Sequence, residues 1–390
     1  MRIIKIFNRR RLPGGEDYVF DKVAKLLKQK DEYVYLWIRS NSELGSGLLG
    51  KMKAFIMGIY SPAAGREMNR IIDLECPDVV HAHNILPMFS PSVLVACRRK
   101  RVPVVLHCHS YLLTCPTTFH FNKGKLCEKC LGGREYWCII KNCRNNIFES
   151  ISYALRNLLA RKCNLFSDNV TLLITLSEFA RCKLIDAGFR EDRVVVLPNM
   201  VHIPEPGIDQ GTGEYAAYSG RLSPEKGVDT LLTAAARLSK LSVCIAGDGP
   251  LYSELVKKAP ENATFVGWLE GKKLDAFYRK ARFVIVPSVW FEPFGVVAIE
   301  AMSHGLPVIA SRIGGLSEII ENGVTGFLFE PGNAKDLADK MKLLWEDINL
   351  CRRMGEAARE RAMREYSDEV YYKRLTNIYK KAISIGKKDI

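Results

Sequence analysis

Two cations stand five residues apart in the string GRLSPEKG, residues 220–227, between a strand-like and a helix-like segment. Arg221 offers a forked pair of donors and Lys226 a compact charge, so together they could neutralise a diphosphate. An Arg and a Lys are also common on an ordinary surface turn. The string therefore predicts an anion site after this strand, with a plain turn as the alternative.

Two carboxylates follow in the string PSVWFEPFGVVAIEAMSHGLPVIAS, which starts at Pro287. Glu292 stands just before a helix predicted to begin near Pro293, since proline suits the first helical turn. Glu300 lies eight residues later, and each carboxylate could accept hydrogen bonds from a sugar diol. The alternative is one helix-terminal carboxylate and one exposed carboxylate. Backbone amides at the positive end of this helix, suited to phosphate, would come from Phe294, Gly295 and Val296.

Two further strand ends carry candidate residues in the N-terminal half. Gly14 and Gly15 follow the first apolar run, and glycine lets a backbone approach a phosphate closely. His109 ends the strand-like string VVLHCH, which directs it beyond the strand, while His107 shares its face but lies deeper. Two glycines in a turn and a lone histidine are each more often structural than functional.

A cysteine-rich segment interrupts the pattern at residues 110–145. A Cys-x-x-Cys pair with further thiols in reach suits a tetrahedral structural zinc, which would staple a short irregular insert. Free thiols in a loop are the alternative, and a catalytic zinc is disfavoured. The candidate ligands are Cys115, Cys127, Cys130, Cys138 and Cys143.

Short apolar strands and amphipathic helices alternate along the rest of the chain. This alternation predicts an α/β protein with two parallel sheets, each covered by helices on both faces. Residues 198–214, with three prolines and three glycines, are the predicted linker. The predicted domains are therefore residues 1–200, with the insert, and residues 201–366. Ligands of such sheets bind beyond the carboxyl ends of the strands, where the candidate residues lie.

Composition and charge restrict the class of protein. Hydrophobic residues make up 47% and charged residues 26%, as in globular proteins, and no apolar run reaches the roughly 18 residues of a membrane span. The N-terminal string lacks the order of a signal peptide, which predicts a cytoplasmic protein. Residues 1–200 hold 31 Lys+Arg against 18 Asp+Glu, with clusters at 9–11 and 98–101. Such a surface favours an anionic partner such as an acidic membrane leaflet, a phosphorylated lipid or nucleic acid.

The string LLGKMKAFIMGIY, residues 48–60, has apolar residues at helical spacing together with Lys51 and Lys53. One interpretation is a helix that presses on a membrane beside the basic clusters. The other is a plain helix that faces the core.

These strings together resemble the retaining glycosyltransferases of family four, the glycosyl transferases group 1. The resemblance is strongest between Tyr218 and Pro331, where SGRLSPEKGVDTLL, IAGDGPL, FVGWL and the Glu292–Glu300 string stand in the family's order. It also includes the early Gly-Gly loop, the string HSYLLTCP and a subset of members with a Cys-rich insert. The resemblance implies the GT-B fold, with two Rossmann-like domains across a cleft. It also implies a last helix, about residues 367–390, that returns to the N-terminal domain.

The resemblance assigns a role to each candidate residue. Arg221 and Lys226 would bind the donor diphosphate, completed by Gly15 and the amides near Gly295. Glu300 would hold the ribose. The donor sugar would contact Glu292 and the acceptor side would contact His109. Family members need no divalent metal for catalysis, since cations and amides take its place.

The sequence thus predicts a hexosyltransferase-type enzyme that moves a sugar from a nucleotide sugar to an acceptor, with retention at the anomeric carbon. A polyprenyl-diphosphate-linked saccharide of a bacterial O-antigen, capsule or exopolysaccharide is the expected acceptor. It would be used at the inner face of the plasma membrane. A nucleotide-sugar hydrolase or epimerase of the same fold is an alternative. A basic, zinc-stapled nucleic-acid-binding protein is a distant one, because it leaves Arg221, Lys226, Glu292 and Glu300 unexplained.

Overall fold

The computed structural model describes residues 1–9, 14–45, 47–205 and 212–388, and it divides the chain into two compact units. The first unit contains residues 1–120, 127–197 and the chain from 372 onward. The second contains residues 121–126 and 198–371. Arg10 and Arg11 of the first basic cluster and the central part of the predicted linker lie outside the described residues.

The first unit is built on a parallel sheet of six strands in the order β2-β1-β3-β4-β7-β8. Helices cover both faces of a parallel sheet, which is why its strands read as apolar runs. Strands β5 and β6 form a short antiparallel hairpin in the cysteine-rich segment, at residues 121–126, which belong to the second unit. The strands are β1 (Arg2–Arg9), β2 (Tyr33–Ser40), β3 (Val79–Ala82), β4 (Val104–His107), β5 (Phe121–Asn122), β6 (Lys125–Leu126), β7 (Leu172–Thr175) and β8 (Val194–Val196).

Seven helices lie between these strands in the described chain. The break between the second and third comes at Ser61 and Pro62, because proline starts a helix well and the Ser61 hydroxyl accepts a hydrogen bond from the Ala64 amide. The helices are α1 (Gly15–Gln29), α2 (Gly47–Ile59), α3 (Pro62–Glu75), α4 (Ser92–Arg99), α5 (Tyr136–Ile140), α6 (Ile147–Lys162) and α7 (Glu178–Asp186).

The second unit repeats the plan, with a parallel sheet in the order β11-β10-β9-β12-β13-β14. All six residues of its central strand β12 are buried, as expected of a strand covered on both faces. The strands are β9 (Tyr215–Ser219), β10 (Val243–Ala246), β11 (Ala263–Gly267), β12 (Ala281–Val286), β13 (Val308–Ser311) and β14 (Gly326–Phe329). The helices are α8 (Val228–Ala235), α9 (Tyr252–Lys258), α10 (Gly271–Lys280), α11 (Val296–Ser303), α12 (Leu316–Ile319), α13 (Ala334–Glu346), α14 (Ile348–Tyr366) and α15 (Asp368–Lys388).

The last helix, α15, packs on the first unit from Tyr372 onward. The Tyr372 hydroxyl donates to Glu32 Oε1 over 2.8 Å. Tyr379 is fully buried, and its hydroxyl lies 2.7 Å from Nδ1 of His81 on β3. The C-terminal helix thus returns to the N-terminal unit. Among the described helices, none combines the length and apolar character needed to cross a bilayer.

Candidate active site

Lys226 lies in a tight loop that is locked against the end of β12. The loop ends at Gly227, whose φ is +67° and whose added Cβ would lie 2.0 Å from the carbonyl oxygen of Pro287. Only glycine fits such a left-handed position against backbone. The Val289 amide also donates to the Glu225 carbonyl over 2.9 Å. Two loops that are distant in sequence are thereby held side by side.

The Glu292 carboxylate is the centre of this loop pair. Its Oε2 atom accepts hydrogen bonds from Lys226 Nζ at 2.7 Å, Ser288 Oγ at 3.0 Å and Trp290 Nε1 at 3.0 Å. The residue is only 8% exposed. A buried carboxylate is stable when paired and hydrogen-bonded, which these three donors achieve. Lys226 and Glu292 therefore form one charge-balanced pair with fixed geometry.

Two glycines hold the backbone of Glu292. The Gly315 amide donates to the Glu292 carbonyl over 2.8 Å. Gly314 has φ +55°, and an added Cβ would lie 2.5 Å from the same carbonyl oxygen. A side chain at Gly314 would displace the segment that positions the carboxylate.

Arg221 differs from Lys226 because its side chain is exposed. Its backbone is fixed by the buried Tyr218, whose hydroxyl donates to the Arg221 carbonyl over 3.0 Å. Burial raises the pKa of Tyr218, so the phenol stays protonated and can donate. The loop thus holds the main chain of Arg221 in place and leaves its guanidinium in solvent.

Helix α11 begins later than the sequence indicated. The expected start near Pro293 was wrong, since the helix starts at Val296, after Gly295 at φ +119° and the buried Phe294. Glu300 is therefore the fifth residue of the helix, about one turn in, rather than two turns in. Its Oε2 atom accepts a hydrogen bond from the hydroxyl of the buried Tyr278 at 3.3 Å. The first amides of α11 and Glu300 thus belong to one short helix.

Gly14 and Gly15 form the start of α1 in the first unit. Gly14 is the N-cap, and its amide donates to Asp17 Oδ2 over 2.9 Å. A Cβ built on either glycine meets no described atom within 4 Å. Internal packing therefore does not require glycine here, and the start of the helix leaves room for a ligand.

The first unit contains a cluster of four stacked histidines at the ends of β3 and β4. The rings of His107 and His109 stack with centroids 4.2 Å apart, and those of His81 and His83 have the same separation but are tilted by 33°. His83 Nδ1 lies 2.8 Å from His109 Nε2, so one nitrogen donates and the other accepts. His109 is thus held by a buried partner rather than isolated.

Burial holds the inner histidines uncharged. It lowers the pKa of His81, His83 and His107 well below the ordinary value, and the buried ammonium of Lys5 acts in the same direction. Burial also lowers the pKa of Lys5 itself. One ring nitrogen from each of the three histidines lies within 4.8 Å of the others, so the three nitrogens are close enough together to hold a metal ion.

Sequence reasoning found only part of this cluster. His109 and His107 were singled out, whereas His81 and His83 in the string DVVHAHN were not. Their signal was the same His-x-His alternation at the end of the adjacent strand, since alternate residues share a face.

A cavity of about 670 Å³ opens beside the histidines within the first unit. It is bounded by α2, α6 and the loops that follow β3 and β4. Its charged lining includes Lys51, Arg144, Glu149 and Arg156. Its apolar lining includes Leu44, Ala54, Phe55, Leu86, Leu112, Leu113, Phe119 and Phe166. A ligand with both polar and apolar parts would be matched by these walls.

The cysteine-rich segment has a small core of its own, formed by Cys130, Cys138 and Ala154. Burial raises the pKa of the Cys130 thiol to about 12, and nearby Cys115, Cys143 and Cys127 contribute. The sulfur atoms are therefore neighbours, although no three of them lie within the 4.8 Å spacing that the histidines meet.

The two halves of the chain match two glycosyltransferase families. Residues 49–203 match Glycosyltransferase Family 4, and residues 204–361 match Glycosyl transferases group 1. These segments are contiguous, and together the two glycosyltransferase matches cover residues 49–361.

Relatives of known name support the same family. The sulfoquinovosyl transferase SQD2 of Arabidopsis thaliana is 38% identical over 147 residues, which are 37% of this chain and 29% of that protein. The uncharacterized glycosyltransferase MJ1178 of Methanocaldococcus jannaschii is 28% identical over 294 residues, 74% of this chain and 72% of that one. The match thus spans less than a third of the first relative.

The fold has solved counterparts. The crystal structure of Anabaena Alr3699/HepE in complex with UDP and glucose superposes with a TM-score of 0.67 and 20% identity, over 97% of this chain and 99% of that one. The likeness confirms the GT-B fold that the sequence predicted.

Proposed function

We propose that the protein transfers a sugar from a nucleoside-diphosphate sugar to an acceptor hydroxyl, with retention of anomeric configuration. The observation that carries this proposal is the Lys226–Glu292 pair at the carboxyl edge of the second sheet, fixed by two further donors and two glycines. This is the edge where sheets of this type bind nucleotides. A nucleotide sugar, UDP-glucose, is also the ligand named for a crystal structure of the structural relative Anabaena Alr3699/HepE.

On this proposal the donor is held by the second unit. The diphosphate would contact Arg221, Lys226 and the first amides of α11, since cations and a positive helix end favour phosphate. Glu300 would accept hydrogen bonds from the ribose, and Glu292 from the donor sugar. In the first unit, Gly14 and Gly15 leave the room that a phosphate oxygen would need.

The proposed chemistry is substitution on one face of the sugar. The bond from the anomeric carbon to the phosphate oxygen breaks, and its electron pair stays on the diphosphate, stabilised by Lys226 and Arg221. The acceptor oxygen bonds to the same face, and its proton passes to the departing phosphate oxygen. No protein nucleophile and no metal is needed for this balance. His109, whose Nε2 atom lies 2.8 Å from His83 Nδ1, would hydrogen-bond the acceptor or sugar hydroxyl.

The proposed acceptor is a lipid-linked saccharide of a bacterial surface polysaccharide, bound in the cavity of the first unit. The support is the chemistry of the cavity wall, where Lys51, Arg144 and Arg156 face the same space as Phe55 and other apolar side chains. Phosphates and an apolar chain would be matched by these groups. A free sugar would leave the apolar wall uncovered.

The decisive experiment measures nucleoside diphosphate release from UDP-, GDP-, ADP- and dTDP-sugars, with and without a polyprenyl-diphosphate-linked acceptor. We expect release from one donor, increased by the acceptor and reduced about 10²–10³-fold by Glu292→Gln. Glu261→Gln, an exposed carboxylate in the same unit, is the matched control. Release that is independent of every acceptor would indicate a hydrolase, and an absence of nucleotide binding would reject the proposal.

We also infer that the cysteine-rich segment binds a structural zinc through four of its five cysteines. The support is the mutual proximity of Cys115, Cys130, Cys138 and Cys143, whose thiols influence one another's pKa. Four sulfurs around a tetrahedral zinc lie roughly 3.8 Å from one another, because each Zn–S distance is about 2.3 Å. The cysteine side chains would therefore rotate toward one another when zinc binds. Elemental analysis should find one zinc per chain, lost in Cys138→Ser and kept in Cys182→Ser. A metal-free wild type would reject it.

A further inference from the structure

Three helices of the first unit carry apolar side chains on their outer faces. On α2, Leu49, Met52 and Ile56 recur at helical spacing and are exposed, Leu49 by 81%. On α6 and α5 the corresponding residues are Phe148, Ile151, Leu155, Tyr136 and Ile140, with Phe148 78% exposed. Single exposed apolar residues are ordinary, but three aligned stripes are not. We call these eight residues the apolar face.

The three helices are neighbours, so their stripes adjoin. Helix α6 packs against both α2 and α5. Lys51 on α2 lies 2.8 Å from Glu149 on α6, which places Met52 and Phe148 next to a shared ion pair. Arg144, just before α6, lies 3.5 Å from the same carboxylate. The stripes therefore form one surface rather than three separate ones.

The charges around the apolar face are mostly positive. Residues 47–60 contain two lysines and no acidic residue. Residues 135–163 contain five cations and two carboxylates, of which Glu149 is bound to Lys51 and Arg144 and the buried Glu135 is bound to Arg161. The basic run at 98–101 is different, because Lys100 pairs with Asp73 and Arg98 lies near Asp168. The cationic surplus thus coincides with the exposed apolar stripes.

The inner faces of the same helices line the cavity. Gly50, Ala54 and Phe55 of α2 and Ser152 and Tyr153 of α6 face it, whereas Leu49 and Phe148 do not. A molecule that lies on the apolar face is therefore one helix away from the cavity. This arrangement suits an acceptor that reaches the cavity while its apolar tail stays in a bilayer.

We propose that the apolar face docks on an anionic lipid bilayer and delivers the lipid-linked acceptor to the cavity between α2 and α6. Apolar side chains that enter the interface and lysines that meet anionic headgroups would act together, as in interfacial helices. The delivery part of this proposal rests on the proposed function, whereas the docking part stands on the surface itself.

The test is flotation of the full chain with vesicles of phosphatidylcholine, alone or with about one third phosphatidylglycerol. We expect binding to the anionic vesicles, weakened by salt because the charges are exposed. The double variant Leu49→Glu with Phe148→Glu should bind at least about tenfold more weakly. Leu74→Glu, on α3 of the same unit and 79% exposed, is the matched control and should bind like wild type.

Each other outcome overturns the docking proposal. The docking proposal is rejected if the wild-type protein floats with neither kind of vesicle. It is also rejected if the double variant binds the anionic vesicles as well as Leu74→Glu does. A lipid-free dimer, detected by light scattering and dissolved by the double variant, would assign the face to a second copy of the chain instead.

A parallel nucleotide-binding measurement separates this proposal from the proposed function. The double variant should bind the donor nucleotide as wild type does, but lose turnover on a membrane-embedded acceptor more than on a short-chain, water-soluble one. Equal loss on both acceptors overturns delivery. Vesicle binding without any nucleotide binding leaves docking intact and rejects the glycosyltransferase function.

Discussion

The candidate residues of the second unit and those of the first unit, called here the charged half and the uncharged half, are stabilised in opposite ways. In the second unit, Lys226 and Glu292 keep their charges because each neutralises the other and further donors surround them. In the first unit, His81, His83 and His107 avoid charge, since burial favours the neutral imidazole. The difference suits two ligands, a charged diphosphate in one unit and an uncharged hydroxyl in the other.

The charged half should be the more sensitive to removal of a charge. Glu292→Gln removes the negative charge that pairs with Lys226 and, on the proposed function, one of the two carboxylate oxygens that can accept from the donor sugar. We expect nucleoside diphosphate release to fall by about 10²–10³-fold, the usual effect of removing one electrostatic group from a transition state. Steady-state rates with saturating donor measure this. If the rate falls less than about fivefold, the pair is only a structural ion pair.

The geometry of the charged half depends on backbone more than on side chains. Gly314→Ala adds a Cβ that would contact the Glu292 carbonyl at a left-handed position, so we expect it to cost about 3 kcal/mol of unfolding free energy. Gly323→Ala has a similar φ of +84° but open space around it, and should cost about 1 kcal/mol. Urea unfolding measures both. Equal losses would show that the contact with Glu292 is unimportant.

The uncharged half should make stability depend on pH. The pKa of His81 is lowered in the folded protein, whereas an unfolded histidine has about 6.5. Below that pH the unfolded chain binds protons that the folded one does not, so stability is full above about pH 6.5 and lost on acidification.

We therefore expect His81→Gln to reduce the dependence of unfolding free energy on pH by about 1.4 kcal/mol per pH unit below 6.5. Urea unfolding at pH 7.0 and 5.5 tests this. The exposed His202→Gln is the control and should leave the slope as it is. An unchanged slope in His81→Gln would mean that the histidine takes up its proton while folded.

The smallest effect is expected at the join between α15 and the histidines. Tyr379→Phe removes the hydrogen bond to His81 Nδ1 and should cost about 1 kcal/mol. Thermal unfolding followed by tryptophan fluorescence measures the loss, with Tyr60→Phe on the surface as control. A loss equal to that of the control would show that the helix is held by packing alone.

Much of the fold could be predicted from the sequence, because the strands of a parallel sheet are buried on both faces and therefore appear as apolar runs. β4 falls within the strand-like string VVLHCH, and β1 begins in the first apolar run before Gly14. The start of α11 was misplaced, because Pro293 suits a first helical turn while Gly295 in fact adopts the left-handed conformation that precedes the helix. Local preference alone does not distinguish these two starts.

For segment 48–60, the sequence left a core-facing and a membrane-facing helix open. The structure gives α2 an inner side, with Ala54 and Phe55 at the cavity, and an outer side with Leu49 and Ile56 exposed. Apolar spacing on both sides of a helix cannot show which side is covered, because coverage depends on the neighbouring helix.

By itself, the sequence determined the alternation of strands and helices and placed Arg221, Glu292 and His109 at strand ends, since burial and chain direction dictate both. Only the tertiary structure decided that Lys226 binds Glu292 and that His81 and His83 stack with His107 and His109. These contacts join segments far apart in the chain, and their geometry comes from loop packing that no local pattern encodes.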